Sequence, residues 1–94
     1  MPLGYARQKV QGGKMLAVKL EYDDRIKAIS ITGDFFIYPE SALAKIESAV
    51  VGSDIGEGAA ALAERIAAIV KSEGAELVGI TPGAIASTIK AAIK

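Results

Sequence analysis

The chain has 94 residues, 51% of them hydrophobic and 23% charged, a composition typical of one globular domain rather than a disordered segment. Eleven basic residues balance eleven acidic ones, so no positive field is available to attract nucleic acid. The absence of cysteine and histidine from the sequence excludes disulfides, Cys/His zinc sites, thiol nucleophiles and histidine-dependent catalytic triads.

The sequence also lacks the pattern of a targeting or membrane-spanning segment. Residues 1–20 contain four basic side chains and no apolar core of a signal peptide. The most apolar stretch, residues 58–70, is interrupted by Glu64 and Arg65 and is shorter than the ~20 apolar residues that cross a bilayer. We therefore expect a cytoplasmic protein without a membrane partner.

Regular structure is expected to begin near Lys9. Proline and glycine among polar residues predict a flexible N-terminal arm over residues 1–8, followed by one domain over residues 9–94. Apolar and polar residues alternate from Met15 to Tyr22, which is the period-two pattern of a half-buried strand.

Two further strands are predicted after this one. The Asp23-Asp24 pair predicts a tight turn, because Asp tolerates positive φ, and residues 25–32 would form the second strand of the hairpin. Residues 35–38 are aromatic and β-branched, which fits a third strand or an extended entry into a helix.

The first of three predicted helices spans residues 39–51. Pro39 suits a first helical position, and apolar residues recur at helical spacing after it. Glu47 is placed on the outer, polar face of this helix.

The second and third helices complete the predicted fold. Asp54 and Glu57 resemble a capping box for a helix that runs to about Ser72. Residues 75–80 are a predicted connector, and Thr81 is the N-cap of the last helix. Strands followed by helices indicate an α+β fold, in which a three-stranded antiparallel meander packs against about three helices.

Gly12-Gly13-Lys14 is a candidate for anion binding, because glycines let backbone N–H groups approach an anion and lysine adds a positive charge. The spacing does not fit a Walker A loop, which requires glycine where Gln8 stands and a helix where a strand is predicted. Two interpretations remain: a bend before the strand, or a loop that presents Lys14 to an anion shared with another protein.

Gly33-Asp34-Phe35-Phe36 is the second candidate segment. Adjacent strand residues point to opposite faces, so one phenylalanine enters the core while the other is exposed to a partner, unless helix and loop bury both. Asp34 is either a magnesium ligand or an acid, or a turn residue whose carboxylate accepts hydrogen bonds from nearby N–H groups. We favour the turn role, because it is the usual one for a lone carboxylate after glycine.

Four segments, taken together, resemble the C-terminal accessory domain of lipoate-protein ligase. They are Lys9-Val10-Gln11-Gly12-Gly13-Lys14, the Asp23-Asp24 hairpin, Ile31-Thr32-Gly33-Asp34-Phe35-Phe36 and the Pro39-Glu40 helix start. The resemblance is most specific between Lys9 and Gly52, and beyond Gly52 it is a pattern of helices. In the family this domain follows a catalytic domain. A chain that begins at Met1 without one resembles the small subunit of a bipartite ligase.

The resemblance implies a function and a set of partners. The family activates lipoate with ATP to lipoyl-AMP and transfers the lipoyl group to a lysine of lipoyl domains, as in 2-oxoacid dehydrogenase complexes or the glycine cleavage H protein. The accessory part is needed for activation, holds no catalytic residue and is not expected to act alone. ATP, magnesium and lipoate would be used by the heterodimer with the catalytic subunit, and this chain alone would bind no cofactor and no metal. The implied fold is similar to SufE and NifU, whose cysteine chemistry is excluded here.

We expect seven residues to form or support the face toward the catalytic subunit. They are Gly12, Gly13, Lys14, Gly33, Asp34, Phe35 and Phe36. Two alternatives remain open: a non-enzymatic interaction or ligand-binding module unrelated to lipoylation, and a nucleotide-binding domain based on Gly13-Lys14.

Overall fold

The computed structural model describes residues 2–10 and 14–93, in which four strands are followed by two helices, a short fifth strand and a third helix. The elements are β1 (Leu3–Lys9), β2 (Met15–Tyr22), β3 (Ile26–Gly33), β4 (Phe36–Tyr38), α1 (Ser41–Val50), α2 (Ala59–Ser72), β5 (Glu76–Val78) and α3 (Pro82–Ala92). Strands β1, β2 and β3 form an antiparallel meander, and β4 and β5 pair in a separate two-stranded ribbon. The predicted α+β class, with a three-stranded meander and three helices among the described residues, is confirmed.

Strand β1 occupies residues for which the sequence predicts an irregular arm. It pairs with β2 along its whole length, from Leu3 opposite Glu21 to Lys9 opposite Met15, so the expected start of regular structure near Lys9 is wrong. The inward-facing residues of β1 are small or polar, namely Gly4, Ala6 and Gln8. Because these residues carry little apolar surface, β1 lacks the alternation that reveals a strand in a sequence.

The small residues of β1 allow α3 to approach the sheet closely. A Cβ atom on Gly4 would lie 2.1 Å from the carbonyl oxygen of Ala92 at the end of α3. The buried Thr88 hydroxyl of α3 forms a 2.9 Å hydrogen bond with the side-chain oxygen of Gln8. These contacts join the first strand to the last helix.

The strand predicted over residues 35–38 exists as β4, but it does not pair with the meander. It pairs with β5, so that Phe36 lies opposite Val78 and Tyr38 opposite Glu76. The meander takes β1 as its third strand instead. Strand β5 falls in the segment predicted as a connector, and its three residues are too few for periodicity to reveal.

The core lies between one face of the meander and the three helices. The inward residues Leu16, Val18 and Leu20 of β2 are at most 2% exposed. The helices contribute six fully buried aliphatic side chains, namely Ile46, Val50, Leu62, Ile66, Ile85 and Ile89. These positions include apolar residues that the helical spacing predicted for each helix.

Glu47 of α1 does not lie on an outer, polar face as predicted. It is half-buried, and its carboxylate accepts a 2.9 Å hydrogen bond from the backbone N–H of Ile31 in β3. The loop after α1 bonds to the same strand, since the N–H of Gly52 donates to the carbonyl of Ile26 at 2.8 Å. Together these bonds satisfy part of the free edge of β3.

The start of α2 differs from the predicted capping box. The helix begins at Ala59, and its N-cap residue, Gly58, forms no side-chain cap. The Asp54 carboxylate accepts a 2.7 Å hydrogen bond from the N–H of Gly56 within the preceding loop. Glu57 is paired with Arg65 instead. The two acidic residues therefore stabilise the loop, which a local capping pattern does not distinguish from a helix start.

Other predicted boundaries are confirmed within about two residues. The hydroxyl of Thr81 caps α3 by accepting a 3.1 Å hydrogen bond from the N–H of Ala84. Gly74 follows α2 with a φ of 60°. Helix α1 begins at Ser41, two residues after Pro39.

The Asp23-Asp24 turn is confirmed, but neither residue has a positive φ. The turn closes through the Asp23 N–H, which donates to the carbonyl of Arg25 at 3.1 Å. The Arg25 N–H in turn donates to the Asp23 carboxylate at 3.1 Å. This hydrogen bond, with a smaller contribution from the Lys27 ammonium at 3.8 Å, lowers the pKa of Asp23.

Alanine is expected to have opposite effects at two glycines, one at the contact between β1 and α3 and one within α3. Gly4→Ala should lower the free energy of unfolding by about 1–3 kcal/mol, because its Cβ would collide with a backbone carbonyl. Gly83→Ala should raise it by up to about 1 kcal/mol, because a Cβ at that helical site would meet only the Thr81 hydroxyl, at an ordinary contact distance of 3.9 Å. Urea unfolding measures both variants. Wild-type stability of Gly4→Ala would contradict the packing of β1 against α3.

Candidate functional site

Three connections meet at one end of the meander. Lys14 ends the β1–β2 connection, and its carbonyl accepts a 2.8 Å hydrogen bond from the Val10 N–H. Gly33, Asp34 and Phe35 leave β3, and Gly79 lies between β5 and α3. A Cβ atom on Gly79 would lie 3.5 Å from the Asp34 carbonyl oxygen, 3.6 Å from Lys14 Cγ and 3.7 Å from Phe35 Cα. We call Lys14, Gly33, Asp34, Phe35 and Gly79 the loop cluster.

Gly33 is required where the chain leaves the meander. A Cβ atom there would lie 2.2 Å from the carbonyl oxygen of Met15 and 3.1 Å from Leu16 Cα. The next residue, Asp34, donates its N–H to the same Met15 carbonyl at 2.9 Å. The glycine of the Gly-Asp-Phe-Phe segment is therefore explained by close contact with the backbone of β2.

The charged groups of the loop cluster are exposed. Lys14 and Asp34 form no ion pair or side-chain hydrogen bond with any residue that the structure describes. The predicted turn role of the Asp34 carboxylate, as an acceptor for nearby N–H groups, is wrong: within the described residues only the Asp34 backbone N–H is bonded, to the Met15 carbonyl, and the carboxylate is exposed. The loop cluster thus presents one lysine and one aspartate side chain to solvent.

The two phenylalanines lie in different environments. Phe35 is half-buried and packs against the core, whereas the side chain of Phe36 is 76% exposed. The first of the two sequence interpretations is therefore correct. A depression of about 470 Å³ adjoins both rings and is lined by Phe35, Phe36, Ile37, Glu40 and Leu43.

The ribbon of β4 and β5 carries an exposed apolar surface that the sequence did not indicate as a unit. Tyr38 is 77% exposed and Val78 is 50% exposed, and both lie on the same face as Phe36, because directly opposed and alternate strand residues share a face. We call Phe36, Tyr38 and Val78 the ribbon patch. Tyr38 lies two residues after Phe36 in the same predicted strand, so strand alternation alone places the two rings on one face. Val78 joins this face only through the pairing of β5 with β4.

Gly79 is the member of the loop cluster that sequence reasoning missed. Its φ is +91°, which lies in a backbone region that residues other than glycine rarely adopt. A glycine directly before the Thr81-Pro82 helix start is a signal for such a position, but its contact with Asp34 is a tertiary feature. Gly12 and Gly13, which the sequence analysis singled out, lie outside the described residues.

A second polar group lies at the loop between α1 and α2. The guanidinium of Arg65 donates to the Ser53 hydroxyl and to the Glu57 carboxylate, the latter at 2.6 Å. Arg25 donates to the carbonyl of Gly52 at 2.9 Å. The second carboxylate oxygen of Glu57 is buried without a partner among the described residues. This arrangement attaches the loop to β3 and α2.

The described residues contain neither a metal-binding cluster nor a membrane-spanning helix. Within residues 2–10 and 14–93, no group of three His, Cys, Asp or Glu side chains is placed to hold a metal ion. The helices of these residues are also too short or too polar to cross a membrane.

The loop cluster predicts that Gly33 and Asp34 differ in their effect on folding. Gly33→Ala should lower the free energy of unfolding by about 2 kcal/mol or more, because its Cβ would collide with the β2 backbone. Asp34→Ala should stay within about 0.5 kcal/mol of wild type, because its side chain is exposed. Urea unfolding compares the two. An equal loss in both variants would show that the Asp34 carboxylate has a structural role.

Comparisons with known proteins point to one system. No protein-family model and no curated protein matches the sequence. The fold is similar to a chain in the structural analysis of an archaeal lipoylation system from Thermoplasma acidophilum, which comprises a bipartite lipoate protein ligase and its E2 lipoyl domain. The TM-score is 0.75 with 26% sequence identity, over 99% of this chain and 97% of that chain. This similarity confirms, over nearly the whole chain, the resemblance to a bipartite lipoate protein ligase that the motifs between Lys9 and Gly52 indicate.

Proposed function

We propose that this chain is the small accessory subunit of a lipoate protein ligase. It would act with a separate catalytic subunit in the ATP-dependent activation of lipoate to lipoyl-AMP, which precedes lipoyl transfer to a lysine. The observation that carries this proposal is the similarity to a chain of the Thermoplasma system, which extends over 99% of this chain and 97% of the other. A match that covers both chains supports correspondence of whole subunits better than a shared substructure would.

The chemistry of the residues supports a non-catalytic role within such an enzyme. The sequence has neither histidine nor cysteine, and the charged side chains of the loop cluster are one lysine and one aspartate. We assign the sites for ATP, magnesium and lipoate to the catalytic subunit, since the described residues here offer no clustered set of metal ligands. The subunit alone would then bind none of these groups and would have no activity.

The accessory subunit would act by completing and closing the activation site. Lipoyl-AMP is a mixed anhydride that water hydrolyses, so a second subunit placed over it protects the intermediate and orders the site. The loop cluster suits this role, because its backbone is held by Gly33 and Gly79 while Lys14 and Asp34 stay exposed. Lys14 would face the phosphate side of the site, where a cation stabilises negative charge.

The acceptors would be lipoyl domains, as in 2-oxoacid dehydrogenase complexes or the glycine cleavage H protein. The Thermoplasma system pairs its ligase with an E2 lipoyl domain. In this proposal the acceptor meets the catalytic subunit after activation, so contact between the acceptor and the present chain is indirect.

The experiment that tests this function measures the two half-reactions separately. Pyrophosphate release from lipoate and ATP is followed with the catalytic subunit from the same genome, with and without this chain. Transfer from preformed lipoyl-AMP is then measured in the same two conditions. We expect activation to require the chain and transfer to proceed without it. Independence of both steps from the chain would contradict the proposal and favour an interaction module unrelated to lipoylation.

The role given to Lys14 leads to a prediction about a single side chain. Lys14→Ala should reduce the rate of pyrophosphate release by about tenfold, as expected when one positioned charge is removed, and leave the melting temperature unchanged. Lys27→Ala is the matched control, since Lys27 is an exposed strand lysine in the β2–β3 hairpin, and it should not affect the rate. Parallel losses of melting temperature and rate in Lys14→Ala would assign Lys14 a structural role instead.

A further inference from the structure

We infer that the ribbon patch is the surface by which this chain docks on the catalytic subunit, an inference that rests on the proposed function. The patch consists of Phe36, Tyr38 and Val78 on the outer face of the β4–β5 ribbon. The partner that fits it is a protein surface with an apolar recess for two aromatic rings. Three properties of the ribbon patch support this partner, namely its exposure, its area and its position next to the loop cluster.

The exposure of the patch is enforced by the core. Ile37 lies between Phe36 and Tyr38 and is only 7% exposed, so its burial directs both neighbours outward. Leu77 is the central residue of β5, between Glu76 and Val78, and it likewise packs against the core. The two aromatic rings therefore cannot enter the core unless Ile37 leaves it.

The area of the patch is of the size that marks a binding surface. Full burial of an aromatic side chain covers roughly 150–250 Å². At the observed exposures the three side chains present on the order of 400 Å² of mostly apolar surface. This value falls within the roughly 300–600 Å² of the largest patches on monomers, which are often functional.

The same area argues against a second copy as the occupant. A symmetric pair of ribbon patches would bury about 800 Å² in total, which is below the ~1,000 Å² of stable interfaces. A partner that also contacts the loop cluster would bury a larger area than the ribbon patch alone. It would additionally have access to the depression of about 470 Å³ beside Phe36, into which an apolar side chain of the partner can insert.

The position of the patch joins it to the loop cluster. Phe36 directly follows Phe35, and Val78 directly precedes Gly79, so both strands of the ribbon start or end in the cluster. A catalytic subunit docked on the patch would hold Lys14 and Asp34 over its own activation site.

The test compares two pairs of exposed residues. The double variant Phe36→Ala/Tyr38→Ala removes both rings of the patch, and Leu3→Ala/Tyr5→Ala is the matched control on β1, where the side chains are 67% and 56% exposed. Calorimetric titration with the catalytic subunit measures Kd. We expect at least about 30-fold weaker binding for the patch variant, as for loss of a central hot spot, and a change within about threefold for the control.

Two additional readouts separate docking from folding and from catalysis. The melting temperature of the patch variant should equal that of wild type, and saturating variant should restore the wild-type maximal rate of pyrophosphate release. If the double variant melts lower, the single variant Tyr38→Lys repeats the titration at a 77% exposed site, and weaker binding is expected again.

The other possible outcomes refute the docking surface, the proposed function or the choice of partner. Wild-type affinity of the patch variants, with stimulation by wild type intact, would refute the docking surface and leave the proposed function standing. Failure of wild type to bind or stimulate the catalytic subunit would refute the proposed function and this inference with it. A wild-type dimer in sedimentation equilibrium that the patch variant abolishes would assign the surface to a second copy and overturn the choice of partner.

Discussion

Burial of one face of β2 is the constraint on which the rest of the structure depends. Leu16, Val18 and Leu20 point to the same side, and their pairing partners on β1 and β3 share that side with them. Helices α1 and α3 pack on the sheet to cover this face, and α2 packs against both of these helices. For α3 to reach β2, the neighbouring strand β1 must have small inward-facing residues. Gly4, which has no side chain, meets this requirement at its contact with Ala92.

Alternation in the three-residue strand β4 creates an exposed apolar surface. Phe36 and Tyr38 are the most exposed large hydrophobic side chains among the described residues. Ile37 enters the core from β4, and as a result the rings on either side of it face solvent. The β4–β5 ribbon that carries this surface pairs separately from the meander. Core packing and surface presentation are thus two consequences of one three-residue pattern.

In the proposed function, this chain would contribute to catalysis by position. The proposed function assigns the reactive groups to a second protein, and this chain supplies a rigid support for a few exposed groups. Close backbone contacts at Gly33 and the left-handed conformation at Gly79 hold the loop cluster without side-chain chemistry. Water exclusion from a reactive acyl-adenylate requires such a fitted surface and no additional acid or base.

Local patterns in the amino-acid sequence were sufficient for β2, β3, the three helices and the α+β class, because each has the periodicity of its own structure. They were also sufficient to single out Lys14 and the Gly33–Phe36 segment. They failed for β1, whose inward residues are small, and for the pairing of β4 with β5, which joins segments about forty residues apart.

The loop cluster and the ribbon patch exist only in the tertiary structure. Val78 belongs to the ribbon patch through strand pairing and Gly79 to the loop cluster through its close approach to Asp34, and neither has a motif of its own. The physical reason is that periodicity records which side of an element is buried, whereas the identity of its neighbours depends on how the chain folds back. The sequence therefore specified β2, β3, the three helices and several candidate site residues, and the pairing of β4 with β5 decided which residues share the exposed surface.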